Sequence, residues 1–474
     1  MVNHLVKYIL IVLIVFTPIA FGSMELWAFS LMELGILLII ILWAIQSLIL
    51  RSQEPQLITH NSKLQALYFV IPCIFLLFIL FQLLPLPAGL VKILSPKTYA
   101  LRSALSLEPS ASTFPLSFFP FLTQIEFFKW LTLIGLFIFL LRWNSLEQNN
   151  RTINQLIIVV MMVGVLESLY GMFEFFSGHH HILHLDRSAL ISSVTGTFIN
   201  RNYLAGYLLM IIPLSVGYLF SREATSTNRI MGWRHSLSSL DGKTLLIGFS
   251  VIVMILGLLL TASRMGILSL LLSFSLISFL FRSPERGKRF SKTVLLIFGL
   301  ALVWAAWIGL DAVVSRFFTA TEDFKIRWMI WVNTFQIFKD FPILGSGLGT
   351  FIQIFPMYRS FYITGLVTHA ENDFLQLASE VGLLGIGLLL VTFLFIFFKG
   401  VSRIHSMSYE DPKRYIGIGG LVGILALMFH SLVERNIQVP ANAFLYTFIM
   451  ALVLRMSVVS KEEGWTKKRS LNPS

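Results

Sequence analysis

Leu245-Leu246-Ile247-Gly248-Phe249-Ser250-Val251-Ile252-Val253-Met254-Ile255-Leu256-Gly257-Leu258-Leu259-Leu260 is followed by Thr261-Ala262-Ser263-Arg264 and then by a second apolar run from Met265 to Leu280. Neither run carries a charge, and the short turn between them carries one arginine. Such a pattern reads as two helices crossing a membrane, with the Arg264 guanidinium held at the boundary. An interfacial arginine that merely snorkels is the plainer reading of Arg264. The bias of arginine and lysine toward cytoplasmic loops argues against an outward arginine kept only for anchoring.

The rest of the chain repeats the pattern. Of its 474 residues 56% are hydrophobic, 14% aromatic and only 13% charged, with a mean hydropathy of +0.79. Since a crossing takes roughly 20 apolar residues, the length allows about a dozen. They are expected near Leu5–Gly22, Trp27–Leu50, Leu67–Leu86, Phe127–Leu141, Ile153–Phe176, Tyr203–Phe220, Leu245–Leu260, Met265–Leu280, Thr293–Leu310, Phe374–Phe398, Tyr415–Leu432 and Val439–Met456. The first is read as an uncleaved helix, because its n-region carries only Lys7 and a second span follows at once. The fold class is therefore an all-α polytopic membrane protein of about 12 transmembrane helices. Residues 1–474 form a single integral membrane domain.

With the N-terminus inside, most of the 36 Lys and Arg residues fall in inward loops and the tail, as the positive-inside bias requires. The densest inward runs are Arg282–Arg289 and Lys467-Lys468-Arg469, and both termini are then cytoplasmic. The net charge of +12 reflects this topology and an attraction to anionic membrane lipids. A nucleic-acid partner would need a soluble basic domain, and the sequence offers none. The single cysteine, Cys73, lies inside the third span and excludes both a disulfide framework and a cysteine metal cluster.

The outward loops are Pro87–Glu126, Ser177–Asn202 and a long one, 311–373, between spans nine and ten; Thr261–Arg264 and Glu434–Gln438 are tight outward turns. The long loop is expensive to keep without a use. Phe324 to Phe335 spaces apolar residues at helical intervals, so an amphipathic helix is expected at the outer interface, with Trp328 and Trp331 at headgroup level. Lys325 and Arg327 on it are either a solvated face or ligands for a phosphate, for which the guanidinium fork is the better fit. Gly345-Ser346-Gly347-Leu348-Gly349 follows no buried strand and lacks Gly-Lys-Ser/Thr, so it reads as a flexible turn rather than a nucleotide loop.

His369-Ala370-Glu371-Asn372-Asp373 closes the loop. Either His369 or Glu371 can accept a proton, and Asp373 can orient an imidazole; the bland alternative is helix capping by Asn372 or Asp373 beside an exposed histidine. His179, His180, His181 and His184 suggest a polar loop tip more than a metal site. Glu167 and Glu174 lie about two turns apart on the fifth span, facing the bundle interior, with a role that spacing does not define.

The segment Thr195-Gly196-Thr197-Phe198-Ile199-Asn200-Arg201-Asn202-Tyr203, the Ser263-Arg264 turn, Arg327-Trp328, Pro342 to Gly349, and His369 to Gln376 with Glu380 to Gly385 together resemble the O-antigen ligase and O-antigen polymerase superfamily. The likeness spans about Thr195 to Glu434. It implies a GT-C-like, metal-independent and inverting glycosyltransferase without a cofactor, working at the periplasmic face of the bacterial inner membrane. The donor would be an undecaprenyl-diphosphate-linked glycan and the acceptor a hydroxyl of lipid A core, of a growing glycan or of a protein. Carried over residue by residue, Arg264 and Arg327 resemble the two arginines that grip the diphosphate, and His369 the base. Arg201, Asn202, Lys325, Asn372, Asp373 and Glu174 are candidate supporting residues. Many relatives read His-Ala-His-Asn-Asp, and Glu371 stands here in place of the second histidine.

The chemistry is consistent with those residue types. Cationic side chains in a partly dehydrated site stabilise a diphosphate leaving group, and an unperturbed imidazole, losing its proton near about pH 6.5, suits the base. On that footing activity should fall on acidification through this region. A transporter or flippase of lipid-linked glycan is the rival from another class, but it should line a path through the bilayer midplane with charge, whereas these cations cluster at one surface.

Overall fold

The computed structural model describes residues 2–51, 62–105, 112–143, 150–179, 181–186, 193–225, 241–281, 299, 303, 320–363 and 365–471. Its main elements are α1 (Val2–Ile19), α2 (Leu26–Arg51), α3 (Ser62–Leu83), α4 (Ala88–Leu94), α5 (Pro96–Leu105), α6 (Pro120–Arg142), α7 (Asn150–Ser177), α8 (Arg201–Thr225), α9 (Gly242–Leu260), α10 (Arg264–Leu280), α11 (Ala320–Asp340), α12 (Phe351–Ile354), α13 (Asp373–His405), α14 (Pro412–His430) and α15 (Pro440–Leu471). Among the described residues, eight helices are long and apolar enough to cross a membrane, and Tyr68–Leu83, Arg264–Leu280 and Pro440–Met456 are shorter apolar helices. Eleven of the expected spans therefore coincide with helices. Of the twelfth, Thr293–Leu310, only Gly299 and Val303 are described, and Arg282–Arg289 and His180 lie outside the described residues.

Two short antiparallel ribbons interrupt the helices: β1 (Pro85–Pro87) pairs with β2 (Thr113–Pro115), and β3 (His181–Ile182) with β4 (Leu185–Asp186). The second lies in the expected outward loop Ser177–Asn202; in the first, β2 lies in the expected loop Pro87–Glu126 and β1 takes the last residues of the expected third span, whose helix ends at Leu83.

α8 is the axis of the bundle, with its whole apolar window buried. It packs closely on α14, because glycine lets the two backbones meet. A Cβ on Gly217 would stand 2.4 Å from the Tyr415 carbonyl oxygen, and one on Gly419 2.4 Å from that of Pro213. Small residues at such crossings bring helices close enough for dispersion, which drives association in lipid where hydrophobicity cannot. The outer helices show the complementary pattern: α2 exposes Leu34, Leu38, Ile41 and Leu48, an apolar surface suited to lipid hydrocarbon.

α13 has a break. Gly382 adopts φ 64° and ψ −172°, splitting a short outer segment from the long apolar remainder. The glycine segment 345–349 grips this break. Ser346 N and Gly347 N donate to the Ser379 and Glu380 carbonyls, and Leu383 N and Leu384 N donate back to Pro342 and Ile343. The Glu380 carboxylate takes hydrogen bonds from Gly349 N at 2.9 Å and Phe351 N at 3.2 Å, and Gln82 Nε2 donates to the Leu344 carbonyl at 2.7 Å. The segment expected to be a flexible turn is thus a fixed clasp, with almost every amide engaged.

Gly382→Ala is expected to be strongly destabilising. The left-handed φ alone costs an L-residue on the order of 1–3 kcal/mol, and the new Cβ would meet Ile343 O at 2.3 Å and Gly345 N at 2.6 Å, both backbone atoms. Thermal unfolding in detergent, with limited proteolysis at 340–372, checks this; a wild-type midpoint would show that the clasp gives way freely.

Candidate functional site

The charged residues of the long loop and of two turns converge at one end of the bundle. α11 is an amphipathic helix, as expected. It buries Ile330, Asn333, Thr334 and Ile337 and exposes Phe324, Trp328 and Phe335. Lys325 is exposed on it, whereas Arg327 points toward the turn after α14. Arg327 Nη1 lies 2.6 Å from Glu434 Oε1 and donates to the Val433 carbonyl at 2.6 Å. Glu434 is only 5% exposed, so its charge depends on this partner.

Trp331, expected at headgroup level, faces inward instead. Its Nε1 donates to the Ala370 carbonyl at 3.0 Å, while Ala370 N donates to Gln376 Oε1 at 3.0 Å. The completely buried Ala370 is thereby pinned from both sides, and its neighbours His369 and Glu371 are held in place. Glu371 has φ +50°, a left-handed conformation that an L-residue avoids unless its surroundings impose it.

Asn372 caps α13, accepting from Leu375 N at 3.0 Å. This is the bland alternative raised for the motif. Asp373 does not turn to the imidazole either: its Oδ2 accepts from Asn436 N and Ile437 N, both at 2.7 Å, and its amide donates to the Ser431 carbonyl. Asp373 therefore ties the start of α13 to the 431–438 turn.

That turn delivers Arg435, whose guanidinium donates to His369 Nε2. Sequence reasoning missed both Glu434 and Arg435. The signal was present, since the argument that singled out Arg264, an outward arginine in a tight turn, applies equally to Arg435.

Ser263 caps α10 through Gly266 N and meets His430 Nε2 at 3.3 Å, and Asn436 Nδ2 meets His430 Nδ1 at 3.1 Å. Asn442 Nδ2 extends this buried chain to Asn436 Oδ1 and to the Tyr203 carbonyl on α8, both at 3.2 Å. Arg264, half-buried in the first turn of α10, is brought to the same end of the bundle by this chain.

The remaining candidates lie around this cluster or apart from it. Asn202 is buried at the start of α8, its amide donating to Asn200 Oδ1 at 2.9 Å, and Arg201 Nη1 is 3.5 Å from Ser193 Oγ. Glu174 accepts from His181 N at 3.3 Å and so belongs to the β3–β4 ribbon. Glu167 accepts from the amide and hydroxyl of Thr197, both at 2.8 Å, which joins α7 to the segment before α8. His179 and His184 pack on Phe173 and Phe21; among the described residues no metal-holding group of His, Cys, Asp or Glu is found.

The electrostatics separate the two proton acceptors. Burial, then the charges of Arg435 and Lys129, push the His369 imidazole down to about 2, with Gln376 acting in the opposite sense. Burial, then the Glu434 charge, raises the Glu371 carboxyl to about 7, against the pull of Arg327 and Arg435. His369 is thus neutral across the physiological range, and the group that titrates near neutrality is Glu371. The empty site thus departs from the unperturbed imidazole on which the expected limb near 6.5 was based.

Beside the cluster, a cavity of about 370 Å³ opens between α3, α6, α13 and α15. Its walls are mostly apolar, with Phe75, Trp130, Leu389, Phe393 and Met450 among them, and Glu126, Lys129, Glu380 and Gln438 are among its polar groups. Lys129 Nζ pairs with Glu126 at 2.6 Å. Gln376 Nε2 donates to Gln438 Oε1 at 3.1 Å, so the residue that holds Ala370 also touches the cavity lining.

The molecule is thus an all-α membrane protein with a partly buried cluster of arginines, carboxylates and histidine at one end of its helices. Residues 249–390 match the family model described as O-antigen ligase, and this supports membership of the O-antigen ligase and polymerase superfamily, with the glycosyltransferase-like activity that it suggests. No curated protein matches the chain. The matched segment contains Arg264, Arg327, His369 and Glu371 and ends before Glu434 and Arg435.

Proposed function

We propose that the chain transfers a glycan from undecaprenyl diphosphate to an acceptor hydroxyl at the periplasmic face of the inner membrane, as an O-antigen ligase-like enzyme. The observation that carries this reading is the convergence of Arg327, Arg435 and His369 on one site, next to an apolar cavity bounded by membrane helices. Cations suit a diphosphate, and an apolar cavity beside them suits part of a polyprenyl chain.

In this reading the chain is one integral membrane unit with both termini cytoplasmic, and 311–373 is its large periplasmic loop. Arg264, Arg327 and Arg435 face the diphosphate, and His369 is the base. The acceptor oxygen bonds to the anomeric carbon from the face opposite the diphosphate. The bond from that carbon to the diphosphate oxygen breaks, its electron pair leaves with the polyprenyl diphosphate, and the hydroxyl proton passes to His369 Nε2. Configuration inverts. Arginines neutralising the leaving group require no metal for that step.

Reconstitution tests this. Purified protein in liposomes, given an undecaprenyl-diphosphate glycan and separate lipid A core, glycan and protein acceptors, is expected to glycosylate one of them in excess EDTA. The acceptor that becomes labelled separates ligase, repeat-unit polymerase and protein O-oligosaccharyltransferase. Movement of the lipid-linked glycan across the bilayer without transfer would point to the transporter instead.

A further inference from the structure

The contact between Arg435 and His369 suits an enzyme at rest and blocks one at work. A guanidinium has donors only, so His369 Nε2 must be the acceptor and the imidazole proton must sit on Nδ1. The lone pair that would take the acceptor's proton is therefore covered. Arg327 is similarly engaged, by Glu434 and by the Val433 carbonyl. The two sets of contacts meet on consecutive residues of one turn, Glu434 and Arg435.

We propose that Arg435 is a donor-operated cover on His369: it caps Nε2 while the site is empty, and the diphosphate of an arriving donor draws the guanidinium away and bares the base. This rests on the reading above that the site takes a diphosphate-linked donor. A neutral imidazole offers one uncharged lone pair, whereas a diphosphate offers several anionic oxygens in the spacing of the guanidinium fork, so the guanidinium exchanges one bond to a neutral acceptor for a bidentate ion pair. The exchange needs rotation of one side chain, because the Asn436 and Ile437 amides are anchored by Asp373.

Donor arrival would also change the charges facing the imidazole. Those acting on it are Arg435 on the turn and Lys129 on α6, with Gln376 on α13; Glu434, Arg327 and Asp373 act on the neighbouring Glu371, and Arg435 also bonds the Tyr203 hydroxyl on α8. Neutralising Arg435 removes the larger of the two cationic influences that depress His369. The base becomes both accessible and stronger, and only when there is a glycan to transfer. Arg435 is then a binding and positioning residue.

The test reads His369 directly. The full chain in nanodiscs, with isotope-labelled histidine and the His369 resonance assigned by its loss in His369→Gln, is titrated by NMR without ligand, with inorganic diphosphate and with farnesyl diphosphate. Without ligand, the imidazole is expected to remain neutral between about pH 5 and 8. At saturating probe it should titrate, moving toward the ordinary value of about 6.5. Arg435→Gln should raise the imidazole value above that of the empty wild type with no probe added, burial and Lys129 still holding it below the ordinary value, and bind the probes about tenfold more weakly. An unchanged wild-type His369 resonance at calorimetric saturation overturns the cover, whether or not the variant folds. So does an Arg435→Gln protein that keeps both the wild-type imidazole value and wild-type affinity. Binding of neither probe would overturn the diphosphate reading as well, which keeps the two failures apart.

Discussion

His369→Ala is expected to lower kcat by about 10²–10⁴-fold, the usual worth of a positioned general base, with donor affinity preserved. The side chain is held between the Trp331–Ala370–Gln376 brace and Arg435, and its loss leaves the brace intact because that runs through the Ala370 backbone. Glu371→Gln should retain measurable transfer, and Glu371→His, which restores the commoner pattern of relatives, should be tolerated. The pH profile supplies a second readout. Because His369 is depressed to about 2 in the empty site, kcat/KM should show no histidine limb near 6.5. An inflection near 7 belongs to Glu371, protonated below that pH and charged above it, and should vanish in Glu371→Gln. Transfer assays with donor binding by calorimetry decide the matter. An active His369→Ala beside a dead Glu371→Gln would make the carboxylate the base.

Arg327→Ala should lose about 10²–10³-fold in kcat, the range for one preorganised charge stabiliser. It should also destabilise the protein, which sequence alone did not suggest. Arg327 is the ion-pair partner of Glu434, and truncating one side of a buried pair strands the other, at a cost approaching roughly 3–5 kcal/mol. The variant Arg327→Ala/Glu434→Gln removes the stranded charge. It should recover most of the thermal stability and none of the transfer, which distinguishes a missing diphosphate ligand from a damaged fold. Restored transfer in the double variant would show that Arg327 serves only its ion pair. Arg327→Lys should rescue poorly, since one ammonium cannot serve the Val433 carbonyl, Glu434 and a phosphate in the geometry of a fork.

Much of the fold was legible because the membrane imposes a uniform requirement on long segments. The runs ending at Leu260 and beginning at Met265 had to be helices, and they are α9 and α10. The amphipathic helix through Trp328 was legible for the same reason, since its period is local. Trp331 was not, because one turn of helix separates a headgroup anchor from a brace on Ala370, and what decides between them is a segment some forty residues further along the chain. Nor was the glycine clasp, whose partner is the break at Gly382.

Single residues and short windows of the sequence were enough to show a helical membrane protein, to place Arg264, Arg327, His369 and Glu371 in or beside the loops that join its apolar runs, and to mark their types as suited to an anionic donor and a proton acceptor. Those properties follow from hydropathy, from charge placement and from side-chain chemistry, each of which is written in single residues or short windows. Which of them meet depends on how the helices pack. That packing brought Glu434 to Arg327 and Arg435 to His369, turned Asp373 away from the imidazole to the Asn436 and Ile437 amides, and thereby set which proton acceptor titrates near neutrality. Pairings across 66 and 106 residues depend on how α11, α13 and α14 pack, and burial and neighbouring charge, which fix the protonation states, exist only once they have packed.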